Sequence, residues 1–347
     1  MAADALSDLL KTVRLTGAAF FDVAAKEPWV AESPPRDMIL PKILSGADHL
    51  IAYHVVTMGR CFASLIGGQP ITVEAGEVVV FANGDPHIMS SSPGMRADPI
   101  APEALTAATA GRLPFVMNYG GEGPVSAKLV CGFLACDARP FNPLLGNLPP
   151  VIKAGGHQDG DAGWLGQFIR VAVMESTDKR AGGESVLAKL SELMFIEVVR
   201  RYLEALPPEQ AGWLAGLRDP FVGKALSLLH GRPAHAWTIE ELSKEVGLSR
   251  SVLAERFADL LGIPPMHYLA KWRMQIASEL LSGGNTNVAT IAARIGYESE
   301  AAFSRAFKKM MGVPPAAWRR QRTAATINMI RAQHSGYTAA QGPRQKL

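Results

Sequence analysis

The stretch Ile239 to Tyr268, IEELSKEVGLSRSVLAERFADLLGIPPMHY, recurs in altered form as Val288 to Trp318, VATIAARIGYESEAAFSRAFKKMMGVPPAAW. Four features return together at an offset of 49 and then 50 residues: the apolar positions, a serine, a turn glycine and a closing Gly-x-Pro-Pro. The matched pairs include Gly247 with Gly296, Ser249 with Ser299, Leu253 with Phe303, and Phe257 with Phe307. Such self-similarity indicates two copies of one supersecondary unit.

Each copy is predicted to be a short helix, a glycine turn and a second helix. In the second copy, Val288, Ile291 and Ile295 lie on one helix face, Gly296 ends that helix, and Ser299 is a candidate N-cap for the next. The predicted buried face of this next helix comprises Phe303, Ala306, Phe307 and Met310. The pattern is that of a helix-turn-helix, whose second helix enters the major groove of DNA.

A single unit of this kind is weak evidence, because a glycine between two amphipathic helices also describes an ordinary αα-hairpin. Two copies joined by one predicted helix, Pro264 to Leu281, are more specific. Eighteen residues at about 1.5 Å each span about 27 Å. Since major-groove faces recur about every 34 Å, the spacing predicts two recognition helices on adjacent grooves of one duplex face.

The segment from about residue 218 to 322 resembles the DNA-binding domain of the AraC/XylS family of transcriptional regulators. The strings that carry the resemblance are Ala236-Trp237-Thr238-Ile239-Glu240-Glu241-Leu242, Gly247-Leu248-Ser249-Arg250-Ser251, Trp272-Arg273-Met274, and the run from Ile295 to Lys309, IGYESEAAFSRAFKK. The resemblance implies a sequence-specific regulator that binds a double-stranded promoter or operator, with RNA polymerase considered as a further partner.

The residues predicted to meet DNA fall into two groups. Those facing bases are Arg250, Ser251, Ala254 and Glu255 in the first recognition helix, and Glu300, Ala301, Ser304 and Arg305 in the second. Those facing phosphates are Thr238, Ser249, Lys271, Arg273, Ser299, Lys308 and Lys309. Glu255 departs from the basic or amide side chain that family members often present there. We therefore expect the first copy to contribute less affinity than the second.

Charge is distributed unevenly along the 347 residues, a length that predicts about two domains. Residues 219–322 carry a net charge of +5, residues 1–218 carry −5, and residues 323–347 carry +3. A basic C-terminal part fits a phosphate-binding partner. No apolar run approaches the ~18 residues of a membrane span, and three cysteines make no disulfide framework. The sequence therefore predicts a cytoplasmic protein with no membrane partner.

The N-terminal part has short apolar runs between turn residues, which predict an antiparallel sandwich or small barrel. The stretch from Gly76 to His87, GEVVVFANGDPH, resembles the second motif of cupin barrels, although Ala82 replaces the usual proline. The predicted fold class is therefore α+β and multidomain. It comprises an all-β cupin-like barrel, a helical hairpin linker, and an all-α domain with two helix-turn-helix units.

The barrel is predicted to be a sensor for an unidentified small molecule or stress signal, with no catalytic residue, metal or cofactor. The first cupin motif, which supplies metal ligands, is absent. The candidate residues for an effector pocket are His54, Cys61, His87 and Cys131. Two alternatives stay open: a metal-dependent cupin enzyme, for which His49, His54, His87, Glu74 and Glu77 are the available ligands, and a thiol-based redox sensor using Cys61, Cys131 and Cys136.

The predicted segments are a sensor domain at 1–150, a helical linker at 151–212, the DNA-binding domain at 213–322, and a mobile basic tail at 323–347. Residues 1–14 are predicted to form an amphipathic helix. The linker is predicted to hold helices at 163–175 and 185–206 that form a homodimer. The Ser/Pro/Ala/Gly-rich stretch 89–121 is either an ordered lid over the barrel or a disordered insertion.

Overall fold

The computed structural model describes residues 4–12, 15–43, 47, 49–101, 115–136, 141–155, 164–178, 181–207 and 211–323. Apart from Thr323, the predicted basic tail lies outside these residues, as do residues 102–114 of the Ser/Pro/Ala/Gly-rich stretch. The described chain forms two compact units. The barrel unit contains described residues of 15–136 and 148–204, and the helical unit contains described residues of 1–14, 137–147 and 205–327.

The elements are numbered along the chain. The strands are β1 Thr16–Lys26, β2 Val30–Glu32, β3 His49–Leu65, β4 Ile71–Glu74, β5 Glu77–Phe81, β6 His87–Ser90, β7 Phe115–Gly120, β8 Val125–Cys136 and β9 Val151–Gly155. The helices are α1 Ala5–Thr12, α2 Arg36–Ile43, α3 Trp164–Asp178, α4 Gly183–Ala205, α5 Trp213–Arg218, α6 Pro220–Gly231, α7 Ile239–Val246, α8 Arg250–Leu261, α9 Pro265–Ser282, α10 Val288–Arg294 and α11 Glu300–Met311.

The long strand β3 organises the barrel unit. Its first half pairs antiparallel with β8 and β5, and its second half pairs with β4 and β6. The sequence has two separate apolar runs here, at 52–56 and 61–66, and the structure joins them in one strand with a register shift between Val56 and Met58. Gly59 adopts a φ of 74°, and a Cβ at this position would clash with the carbonyl oxygen of Ser126. A glycine therefore lets one strand serve both pairings.

The barrel core lies between the inner faces of these strands and includes Phe21, Leu50, Val79, Phe81 and Phe133. Side chains on the other face of β3 meet the hairpin of α3 and α4. Tyr53 is buried, and its hydroxyl lies 2.6 Å from that of Ser191 in α4. The hairpin thus packs against its own barrel, as the broad apolar surface of α4 predicts.

The helical unit contains both helix-turn-helix copies. Thr238, Ser249 and Ser299 cap α7, α8 and α11 by accepting a backbone N–H bond, and Gly247 and Gly296 make the turns with φ of 86° and 80°. The joining helix α9 agrees with the predicted Pro264 to Leu281 to within one residue at each end. The predicted fold class is confirmed.

One position on α11 differs from the prediction. Phe303 and Phe307 are fully buried, whereas Met310, expected on the same face, is 37% exposed. The buried stripe instead advances by four residues from Phe307 to Met311, which packs against the core of the second copy. The helix then ends at Gly312, which has a φ of 77°.

The N-terminal helix α1 groups with the C-terminal helices. Leu6 and Leu9 are buried, and α1 lies against α6 and α9. The segment that follows β8 joins the same unit, because the backbone N–H of Phe141 donates to Gln275 Oε1 and Asn147 Oδ1 accepts from the N–H of Trp213. In the described part of the chain, no helix is long and apolar enough to cross a membrane.

Candidate nucleic-acid interface and barrel cavity

The second helix of each copy exposes the residues that the sequence assigned to base reading. Arg250, Ser251 and Glu255 are exposed on α8, and Glu300, Ala301 and Arg305 on α11, while Ala254 and Ser304 are partly buried. The opposite faces carry Leu253 and Phe257 in α8, and Phe303 and Phe307 in α11, all fully buried. Each recognition helix is therefore anchored by two large apolar side chains and presents a polar face to solvent.

The two exposed faces differ in charge. Positions that match at an offset of 50 residues are Glu255, Ala258 and Asp259 in α8, and Arg305, Lys308 and Lys309 in α11. These positions carry a formal charge of −2 in α8 and +3 in α11. Because DNA carries one negative charge per about 1.7 Å of its axis, α11 presents the more favourable surface to a phosphate backbone.

The guanidinium of Arg250, at the start of α8, pairs with an acidic residue in the first turn of α7. Its Nη1 lies 2.8 Å from Glu240 Oε1, and both side chains are largely exposed. An exposed pair of this kind contributes little to folding stability. Arg250 must therefore break its ion pair with Glu240 before it can pair with a base. This lowers the DNA affinity that we expect from the first copy.

Arg273, predicted to contact phosphate, has a structural role. Its Nε donates to the carbonyl of Pro233 at 2.7 Å, and its Nη2 donates to that of His235 at 2.8 Å. Burial lowers the pKa of this guanidinium. Arg273 therefore holds the loop that leads to the N-cap Thr238. Lys271, predicted for the same task, lies with its Nζ 5.4 Å from the ring centre of Phe141.

The turn of the second copy packs against this same loop. A Cβ on Gly296 would clash with the carbonyl oxygen of Ala234, whereas a Cβ on Gly247 would meet nothing within 4 Å. The two turn glycines thus share a left-handed backbone but differ in their surroundings. Gly296 allows the second helix-turn-helix to approach the loop that begins the first.

The barrel encloses a cavity. Its volume is about 70 Å³. Of the predicted pocket residues, His54, His87 and Cys131 line it. Cys61 belongs to the same apolar core without lining the cavity. Trp29, Met117 and Tyr119 also line it, although no sequence pattern marked them.

Two histidines form the polar end of this cavity. Their Nε2 atoms lie 2.8 Å apart, and the ring of His87 stacks on Phe81 with centres 3.8 Å apart. Burial lowers the pKa of His87 to about 4 and lowers that of His54 well below its usual value, the latter with a contribution from His87. The pair is therefore uncharged near neutral pH.

The cysteines are placed unfavourably for redox chemistry. Cys61, Cys131 and Cys136 are all buried, and no disulfide joins them. Burial raises the pKa of Cys61 to about 12 and that of Cys131 well above its usual value. Since the thiolate is the reactive form, the raised pKa values disfavour oxidation of Cys61 and Cys131.

The remaining candidate metal ligands are committed elsewhere. His49 Nε2 lies 2.7 Å from the carbonyl oxygen of Ala82. Glu77 pairs with Lys153 at 3.1 Å and accepts the backbone N–H of Glu74. Within the described ranges, no group of three His, Cys, Asp or Glu side chains is arranged to hold a metal ion.

A surface ion pair fixes one wall of the cavity. Arg96 donates from Nε and Nη2 to the carboxylate of Glu32, at 2.9 and 3.0 Å, and this carboxylate is 3% exposed. The hydrogen bond from Arg96 lowers the pKa of Glu32. The backbone carbonyl of Glu32, at the end of β2, accepts the N–H of Ile100, and Ile100 lines the cavity. Residues 91–101 of the predicted lid-or-insertion stretch are therefore ordered against the barrel.

The two helix-turn-helix units in one domain place this chain in the class of helix-turn-helix DNA-binding proteins. Comparison with known proteins gives the family. The Cupin family model matches residues 4–204, and a helix-turn-helix domain model matches residues 242–321. A Streptomyces lividans protein described as an AraC-like transcription regulator is 31% identical over 280 residues, which cover 80% of this chain and 89% of the relative. The chain belongs to the AraC-like transcriptional regulators, as the sequence predicted, and has a cupin domain and a helix-turn-helix DNA-binding domain.

Two further similarities extend over different lengths. The regulator AlkR of Acinetobacter baylyi is 27% identical over 320 residues, 92% of this chain and 99% of AlkR. Among solved structures, the C-terminal domain of AraT, a response regulator from Geobacillus stearothermophilus, is 35% identical and covers 30% of this chain and 86% of that chain, with a TM-score of 0.29. The curated relatives are transcriptional regulators.

Proposed function

We propose that this regulator reads an operator with both helix-turn-helix units on adjacent major grooves, and that the barrel cavity receives the signal. The observation that carries the DNA-reading part is the pair of exposed helices α8 and α11, each anchored by the same two apolar positions. The protein acts by positioning side chains on DNA, in the cytoplasm, and catalyses no reaction.

The two helix-turn-helix units contribute unequally to DNA binding. Arg305 pairs with a guanine edge, and Lys308 and Lys309 neutralise phosphates beside it. In the first unit, Glu255 accepts from a cytosine amino group or else lowers affinity through repulsion from the backbone. The N-caps Thr238, Ser249 and Ser299 bring the backbone N–H groups of their helix ends to phosphate. The second unit thus supplies most of the affinity and the first adds selectivity.

The test of the DNA-reading part is selection of bound sequences from random DNA by the full chain. The proposal predicts a selected site with two conserved blocks, of which the block read by α11 has the higher information content. Selected pools with no shared sequence would contradict the proposal. Selection with the variant Glu255→Ala is a useful companion, because it should alter the weaker block alone.

We also propose a homodimer formed through the hairpin of α3 and α4. Large apolar side chains are exposed on both helices of the hairpin: Val171, Met174, Val186 and Leu193. Burying such a patch between two copies removes apolar surface from water at about 25 cal/mol per Å². Sedimentation at micromolar concentration should show a dimer, and Leu193→Glu should give a monomer that keeps its fold. A wild-type chain that sediments only as a monomer would contradict this part.

A further inference from the structure

Two residues that line the barrel cavity each carry a buried polar atom with no hydrogen-bond partner in the described part of the chain. The atoms are Nδ1 of His54 and Nε1 of Trp29. A buried polar atom left unpaired destabilises the fold, so a complementary group that enters the cavity would be favoured at each.

The hydrogen-bond character of the His54 atom follows from its neighbours. His87 Nδ1 lies 2.9 Å from the carbonyl oxygen of Asp85, which only accepts, so this nitrogen carries the proton. Neutral His87 therefore has a bare Nε2, and His54 Nε2 must donate to it across their 2.8 Å contact. Neutral His54 is left with a bare Nδ1, which is an acceptor. Trp29 Nε1 is a donor in every state.

The rest of the lining sets the overall chemistry of a ligand. The cavity is lined by apolar side chains such as Phe21, Val23, Met117, Leu129 and Phe133, and its described lining includes no Asp, Glu, Lys or Arg. An ionised group would lose its hydration there without gaining an opposite charge. One water molecule needs roughly 10–15 Å³ of such a cavity. A cavity of 70 Å³ therefore accommodates a molecule of about five to ten non-hydrogen atoms.

We propose that the cavity binds a small, neutral, mainly apolar molecule that bears a hydroxyl group, such as a phenol or a short alcohol. Its O–H donates to His54 Nδ1, and an oxygen of the ligand accepts from Trp29 Nε1. This assignment rests on the proposed role of the barrel as the sensor, and it adds the class of compound that the sensor takes.

The test compares three probes of similar size on the full chain by isothermal titration calorimetry: phenol, toluene and benzoate. Phenol should bind about tenfold more tightly than toluene, the effect of about 1.4 kcal/mol from satisfying buried polar atoms, and benzoate should not bind detectably. His54→Phe should abolish the preference for phenol over toluene. Tyr53→Phe, which loses a hydrogen bond on the outer face of the same strand, should retain the preference.

A second measurement avoids dependence on the folding of a variant. In the wild-type chain, the ¹⁵N spectrum of the imidazoles should show His54 Nδ1 as an unprotonated nitrogen whose signal moves upfield when phenol binds. Equal affinity for phenol and toluene, tighter binding of benzoate, or no binding of any probe would overturn the assignment. Phenol binding that leaves operator affinity unchanged would support the ligand class and contradict the sensor role instead.

Discussion

At the scale of single residues, the basic side chains of the DNA-binding domain differ in the contacts that they make within the protein. Arg250 is paired with Glu240, and Arg273 is bonded to two backbone carbonyls. For Arg305, Lys308 and Lys309 the described structure shows no such ion pair, and all three are exposed. The residues most available to DNA therefore lie on one helix, α11.

We predict that Arg305→Ala relaxes preference at one base pair, with a loss of about 1–3 kcal/mol on the selected site and little on random DNA. Lys309→Ala should instead weaken binding to all sequences and reduce the salt slope by about one charge. Titrations on both DNAs at several salt concentrations measure this. Equal losses on both DNAs for Arg305→Ala would remove it from the base-reading residues.

Arg273→Ala should destabilise the protein in the absence of DNA. The substitution leaves the carbonyls of Pro233 and His235 without their charged donor, at a cost of about 2 kcal/mol. Thermal unfolding of the free protein measures the effect. Lys309→Ala is the matched control, because it removes an exposed positive charge and should leave the melting temperature unchanged. If the two variants melt alike, Arg273 does not hold the loop.

Histidine burial predicts a pH dependence of stability in the helical unit. Burial lowers the pKa of His230 to about 3, from its usual value near 6.5. Below pH 6.5 the unfolded state binds a proton that the folded state does not, so stability falls as the pH drops towards about 3, by up to about 1.4 kcal/mol per pH unit. His230→Gln should flatten this slope, while His267→Gln, on the surface, should not. Identical slopes for His230→Gln and wild type would contradict the account.

At the scale of elements, the repeated unit was predictable because its signals are local. Gly296, Ser299 and the spacing of Phe303 and Phe307 determine a turn, a cap and a buried face within one short stretch. The hydrogen bonds of Arg273 to two backbone carbonyls were not predictable, because these partners lie on another loop and have no mark in the sequence. The spacing of residues along the chain does not predict tertiary contacts of this kind. The phosphate contact of Arg273 stays a prediction.

The cavity was only partly predictable for the same reason. His54 and His87 are 33 residues apart, and their side chains meet although the two residues are not strand partners. Trp29 directly precedes the short edge strand β2, where no pattern marks it as part of a pocket. The sequence named both histidines as pocket candidates, and the fold adds that their rings contact each other.

The two turn glycines offer a matched pair of substitutions. Gly247→Ala should cost about 1–2 kcal/mol, because alanine resists a left-handed backbone. Gly296→Ala should cost more, since its added Cβ must also displace the carbonyl of Ala234. Urea unfolding curves of the two variants measure the difference. Equal destabilisation would show that the second turn does not depend on its contact with the loop.

At the scale of the whole molecule, the chain enters and leaves the barrel side by side. Thr16 at the start of β1 pairs with Ala135 near the end of β8. The flanking segments 1–14 and 137–147 both group with the DNA-binding helices. These same two strands carry Phe21 and Cys131 into the cavity lining.

The central claim is that α8 and α11 read one face of a single duplex. The most direct test is the affinity of the full chain for its selected site with five base pairs inserted between the two blocks. Five base pairs are about half a turn, so the insertion moves one block to the opposite face. The account predicts at least a tenfold loss of affinity, which an insertion of ten base pairs outside the blocks does not cause. Unchanged affinity after the five-base-pair insertion would contradict it.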